Sequence, residues 1–173
     1  MYIRFSYLNM QLEKFVASLS RDEQHELGLR LVSSGLHLWD KYCEVAVLKY
    51  RDAVVGRHHV LKKEILSEAL IAIDKYLYKN SISKWVVPSY HLVEQLDQFT
   101  YPVASIRNGE WQMPEEVECV FYATYNLLRA IVAKDQPAEY SYEAICISQA
   151  IHALLVSDTL NPYQLNEILA QYN

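Results

Sequence analysis

The sequence predicts an all-α fold, a single-domain bundle of about seven helices over residues 1–173. Three observations predict it. Apolar residues recur at spacings of three and four along most of the chain, the signature of one-sided helices. Glycine is rare, with four copies, and there are five prolines; a β-sandwich needs many tight turns and usually spends more of both. Helix-start residues stand where the periodic runs begin. With 51% apolar and 21% charged residues the composition is globular, and the length is enough for a real core.

The first helix is expected over Tyr7 to Ser18, with Leu8, Leu12, Phe15 and Val16 on one face. Ser20-Arg21-Asp22-Glu23 reads as a capping box, since a serine hydroxyl and a glutamate three residues on can satisfy each other's backbone N–H groups. The helix it opens is expected to reach about Asp52, through Leu27, Leu31, Leu38, Trp39, Tyr42, Ala46 and Tyr50. Ser33-Ser34-Gly35 are weak helix formers and predict a break or kink. Gly56 ends this pattern. The cleanest period follows, from about His58 to Lys79, with Leu61, Ile65, Leu66, Ala69, Leu70, Ile73 and Leu77, and Asn80 as its cap.

Pro88 opens a shorter helix carrying Leu92, Val93, Leu96 and Phe99. Thr100 to Met113 reads as the longest connection, with a small hairpin predicted near 106–111 because Asn108-Gly109 lies between Ile106 and Trp111. Pro114, Glu115 and Glu116 start the next helix, the acids against its positive end, and Val117, Val120, Phe121, Leu127, Leu128 and Ile131 form its stripe. Asp135 to Glu139 is a turn. A helix from Ser141 to Val156 carries Ile145, Ile151 and Leu155. Asn161-Pro162 caps the last one, with Leu165, Ile168, Leu169 and Tyr172 inward.

Motifs for chemistry are absent. His25-Glu26 lacks the second histidine of a zinc-binding H-E-x-x-H, adjacent His58 and His59 point apart on a helix, and no Glu-x-x-His supports a di-iron bundle. Neither a nucleophile elbow nor a glycine-rich phosphate loop occurs. Cys43, Cys119 and Cys146 are odd in number and far apart, which argues against disulfides or zinc and for a reducing compartment. The expectation is therefore a non-enzyme without metal or cofactor. No signal peptide or spanning segment is read, so the cytoplasm is the default and no membrane is expected.

Charge is lopsided. Residues 1–84 carry thirteen Lys+Arg and ten Asp+Glu, whereas 85–173 carry three and eleven. The only local basic cluster is Arg57, His58, His59, Lys62 and Lys63, too little for a phosphate-neutralising stripe, so nucleic acid is not expected. Fourteen tyrosines supply side chains with an apolar body and a polar tip, which suit partner-binding surfaces.

The order of helices, the aromatic-rich segment Leu38-Trp39-Asp40-Lys41-Tyr42 and the alanine-bearing later helices (Ala123, Ala130; Ala144, Ala150, Ala153) resemble the helical immunity proteins of bacterial toxin systems. That resemblance implies a small cytoplasmic protein that binds and blocks a cognate toxin domain, often a cationic nuclease. Acidity and tyrosine content single out a partner-binding surface of Glu110, Trp111, Glu115, Glu116, Glu118, Tyr122, Tyr125, Glu139, Tyr140 and Glu143, which would cover a basic cleft. Such a protein is expected as a monomer or homodimer. Two other readings stay open: a structural subunit that buries a helix face in a homo-oligomer, and a helical enzyme without a recognisable motif.

Overall fold

The computed structural model describes residues 11–52, 54–83, 85–133 and 141–172. Among these the chain forms seven helices and one two-stranded sheet, and the all-α bundle is the architecture. The order is α1 (11–18), α2 (Arg21–Val45), β1 (Lys49–Arg51), β2 (His58–Val60), α3 (Ile65–Ile82), α4 (Tyr90–Arg107), α5 (Glu115–Val132), α6 (Tyr142–Val156) and α7 (Pro162–Ala170). Helix α5 sits at the centre, packed against α2, α3, α4 and α6. Its buried side chains Val117, Val120, Phe121, Leu127, Leu128 and Ile131 join Leu31, Trp39, Ile73, Phe99 and Ile147 in one hydrophobic cluster.

Helix α2 begins as the capping box requires. Ser20 Oγ accepts from Glu23 N–H at 3.2 Å and Glu23 Oε2 accepts from Ser20 N–H at 2.7 Å. The expected break at Ser33-Ser34-Gly35 is absent, and α2 is one continuous helix. Gly35 serves packing instead: a Cβ there would lie 2.8 Å from Val120 Cγ2. Gly28, two turns earlier on the same face, would place a Cβ 3.2 Å from Leu127 Cδ1 and 3.3 Å from Cys146 Sγ. The two glycines let α2 approach α5 and α6 closely, so a weak helix former is retained for its missing side chain.

The helix does not reach Asp52. It stops at Val45, and residues 48–61 fold back on themselves as a hairpin. Lys49 pairs with Val60, Tyr50 with His59 and Arg51 with His58. Asp52 makes the turn, its Oδ1 accepting from Val54 N–H (2.8 Å) and Val55 N–H (3.1 Å), and Gly56 takes the left-handed φ of 65° that the return needs. Tyr50 stacks on His59 with ring centroids 5.5 Å apart. Ala46 and Tyr50 do pack against the core, but from an extended segment, with Leu48 buried between them and Val45 and Val47 exposed in alternation. The following helix accordingly starts at Ile65, later than His58.

The hairpin predicted near 106–111 is not there. Helix α4 carries on through Pro102 to Arg107, although an interior proline costs about 3 kcal/mol relative to alanine. Pro102 is buried in this helix, as are Phe99 and Val103. Asn108-Gly109 then ends the helix: Gly109 (φ 72°) donates to Ile106 O at 3.0 Å and Glu110 N–H to Ser105 O at 3.0 Å. This is the Schellman arrangement, in which a left-handed residue returns two amides to the last free carbonyls. The same dipeptide serves a hairpin turn and a helix stop, because both need positive φ. The predicted start of the first helix and the turn at 135–139 lie outside the described residues. Asn161 and Gln164 form a second capping box at the start of α7.

Candidate functional site

Helix α5 carries its acids where a helix tolerates them best, Glu115, Glu116 and Glu118 in the first turn against the positive end. Spacings of three and four then place Glu115, Glu118, Tyr122 and Tyr125 along one face, between α4 and α6. Each is exposed or half-buried, while the opposite face (Val117, Val120, Phe121, Leu128) is core. Glu110 lies exposed just before the helix. Six of the ten residues predicted for partner binding, counting Glu116, are thus brought to one region.

Its electrostatics are uneven. His152 of α6 donates Nε2–H to Glu115 Oε1 at 2.8 Å. Among the described residues, Glu110, Glu116 and Glu118 have no cation within ion-pair distance. Burial, then the neighbouring Glu115 carboxylate, pushes the Glu118 carboxyl above its usual range. The Tyr122 hydroxyl is pushed up by burial first and by Glu118 second, against the lowering effect of Arg107. Arg107 of α4 sits over the Tyr122 ring at 6.0 Å. Arg129, one turn beyond Tyr125, lies 5.1 Å over that ring and 3.9 Å over Tyr142. Tyr125 also stacks on Phe99 at 6.2 Å. The tyrosine faces therefore already accept guanidinium groups, the contact a basic partner would make.

The other predicted residues fare differently. Trp111 is 7% exposed and belongs to the core, with Trp39 at 6.4 Å and Phe121 at 6.1 Å, both edge to face. It cannot anchor a partner without unpacking. Glu143 is 3% exposed and is no surface acid. It accepts from His25 Nε2–H at 3.1 Å and Ser141 Oγ–H at 3.1 Å, with Arg21 Nε at 3.4 Å. Arg21 donates onward to Ala130 O at 2.8 Å. The group ties the starts of α2 and α6 to the end of α5, at the opposite end of α5 from the acids. Glu139 and Tyr140 lie outside the described residues.

Sequence reasoning missed Arg107, Arg129 and His152 as partners of the stripe. Arg129 was readable, standing four residues after Tyr125 on the same face. The union of His25 with Glu143, 118 residues apart, leaves no local trace.

Chemistry elsewhere is sparse. Burial, then Asp40, pushes the Cys43 thiol up to about 11; burial, then Glu115, does the same for Cys119, also to about 11. Cys146 is fully buried and pushed up further. None is an activated thiolate. Among the described residues no group of three or more His, Cys, Asp or Glu is placed to hold a metal, and no helix is long and apolar enough to cross a membrane. A groove of about 320 Å³ lies where α1 meets α6 and α7, lined by Leu12, Phe15, Ile151, Leu165 and Leu169 among others. Comparison with known protein families, with curated proteins and with solved structures finds no match.

Proposed function

We propose that this chain is a protein-binding inhibitor that occludes a basic partner with the outer stripe of α5. The observation that carries the reading is the company kept by Glu110, Glu116 and Glu118: carboxylates with no cation within ion-pair distance among the described residues, beside tyrosine rings that take guanidinium groups. A partner bearing Arg and Lys would supply the cations that these carboxylates lack and could join or replace Arg107 and Arg129 on the rings. Its charges would speed encounter, and Tyr122 and Tyr125 would hold the complex by cation–π and apolar contact. The partner class that fits the resemblance to helical immunity proteins is a cationic toxin domain, and the proposed setting is the cytoplasm.

Affinity capture from source cells expressing their toxins, with wild type beside a Glu110→Lys/Glu116→Lys/Glu118→Lys variant, tests the reading. The expected result is one stoichiometric basic protein on wild type, depleted at least tenfold on the variant. Equal recovery on both, or no stoichiometric partner on either, rejects it.

A further inference from the structure

The corner between α3 and α4 exposes more apolar surface than the fold explains. Tyr78 and Ile82, one turn apart at the end of α3, are 69% and 70% exposed. In the connection Trp85 is 92% and Val87 80% exposed, with half-buried Val86 between them, and Tyr90 opens α4 at 76%. Concentrated exposure of this kind marks an interaction surface, since single surface apolar residues are normally scattered.

Charge narrows what it meets. Between Asp74 and Glu94 the sequence has Lys75, Lys79 and Lys84 and no acid. Lys75 and Lys79 are exposed on α3. The first turn of α4 holds no acid, and its N-cap Ser89 makes no side-chain cap, so that positive helix end is not offset. One acid approaches from a neighbouring helix: Asp22 of α2, which accepts from Asn80 Nδ2–H at 3.1 Å and stands beside Arg21. Exposed Asp74 and Glu94 stand one turn before Tyr78 and one turn after Tyr90, so the corner is apolar and aromatic, with lysines within it and acids at its edges.

A second copy is a poor occupant, because a two-fold interface sets each patch against itself and brings the lysines together. A side chain as exposed as Trp85 rests in no groove of its own chain, so the patch protrudes. Protruding Trp, Tyr and aliphatic side chains flanked by lysine suit a deformable anionic surface: the rings settle at headgroup depth and the ammonium groups meet phosphates. We propose that the α3–α4 corner is a peripheral contact for an anionic phospholipid bilayer, made by Ile82, Trp85, Val87 and Tyr90 with Lys75 and Lys79. The sequence excluded a spanning segment, and this contact lies on the surface. It does not depend on the α5 reading, whose acids are on another part of the molecule.

The two other tryptophans, Trp39 and Trp111, are buried, so changes in emission and in acrylamide quenching on binding report Trp85. The full chain is mixed with vesicles of equal phosphatidylglycerol and phosphatidylcholine, and separately with phosphatidylcholine alone, at low salt. The expected result is co-sedimentation with the anionic vesicles only, a blue-shifted emission and reduced quenching. Trp85→Ala should weaken binding roughly tenfold or more, as for removal of a large buried apolar group. Lys75→Gln and Lys79→Gln should each weaken it about fivefold. Circular dichroism of the variants should match wild type, since Trp85, Lys75 and Lys79 are exposed.

Failure to sediment with anionic vesicles overturns the proposal, as does sedimentation unaffected by Trp85→Ala. Concentration-dependent dimerisation lost in Trp85→Ala overturns it in favour of an interface between copies.

Discussion

Gly35 shows how one residue's role can differ from its propensity. In an exposed helix interior, Gly→Ala gains roughly 1 kcal/mol. At Gly35 the new methyl would meet Val120 Cγ2 at 2.8 Å across a packed helix interface. Gly35→Ala should therefore destabilise by about 1–3 kcal/mol in urea unfolding, and Gly28→Ala, with nearest approach 3.2 Å, by less. A stabilised Gly35→Ala would contradict the packing account. At Glu143, removal of the carboxylate leaves the buried His25 ring N–H without its acceptor, while Arg21, 59% exposed, turns to water. Glu143→Ala should cost about 1–3 kcal/mol, and a double-mutant cycle with His25→Ala should show coupling. Additive single effects would show that the pair does not interact.

Glu118 gives a test by pH. Its carboxyl is raised in the folded state, so the folded protein holds that proton more tightly than the unfolded chain. The resulting stability is present below the unfolded carboxyl pKa and is lost as pH rises through the folded one. Glu118→Gln should thus raise Tm at pH 7 and leave its effect relative to wild type reduced or absent well below pH 4. A variant whose benefit persists unchanged at low pH would refute the sign.

At the level of elements, the starts marked by capping boxes were legible, whereas the start expected at His58 and the end expected at Asp52 were not. Ser20 with Glu23 and Asn161 with Pro162 announced α2 and α7 because capping is local chemistry. The hairpin at 49–60 was hidden because Ala46 and Tyr50 continue a helical spacing, and three-residue strands are too short for alternation to show. Asn108-Gly109 was read as a hairpin turn, but Gly109 alone takes a positive φ, as the left-handed residue of a helix stop, while Asn108 stays at φ −80°. With nothing within 4 Å of a Cβ built on Gly109, Gly109→Ala isolates the backbone term. It should cost about 1–2 kcal/mol by thermal unfolding, with Gly109→Asn milder. Equal stability of all three would deny the left-handed cap.

At the scale of the whole molecule, the halves of opposite charge separate only in part. The α5 acids gather near one end, which the sequence had left open, and helical spacing puts Tyr122 and Tyr125 on the face of Glu115 and Glu118. Trp111 and Glu143 left the surface for reasons of packing: aromatic neighbours Trp39 and Phe121 claimed one, and the distant His25 the other. Composition could not tell a surface acid from a buried, paired one. The apolar run Trp85-Val86-Val87 between α3 and α4 likewise gave no warning that Trp85 faces outward. If the α5 stripe steers a basic partner, association should slow with salt, and reversing its acids should flatten that dependence.

The central claim is that a partner seats on α5. A photo-crosslinking amino acid placed at Tyr122, with a control at Tyr163, which is 71% exposed on α7, tests it most directly in source cells. The account predicts one strong adduct with a basic protein at position 122 and none at 163. Equal crosslinking at both positions, or an adduct at 163 alone, would contradict it.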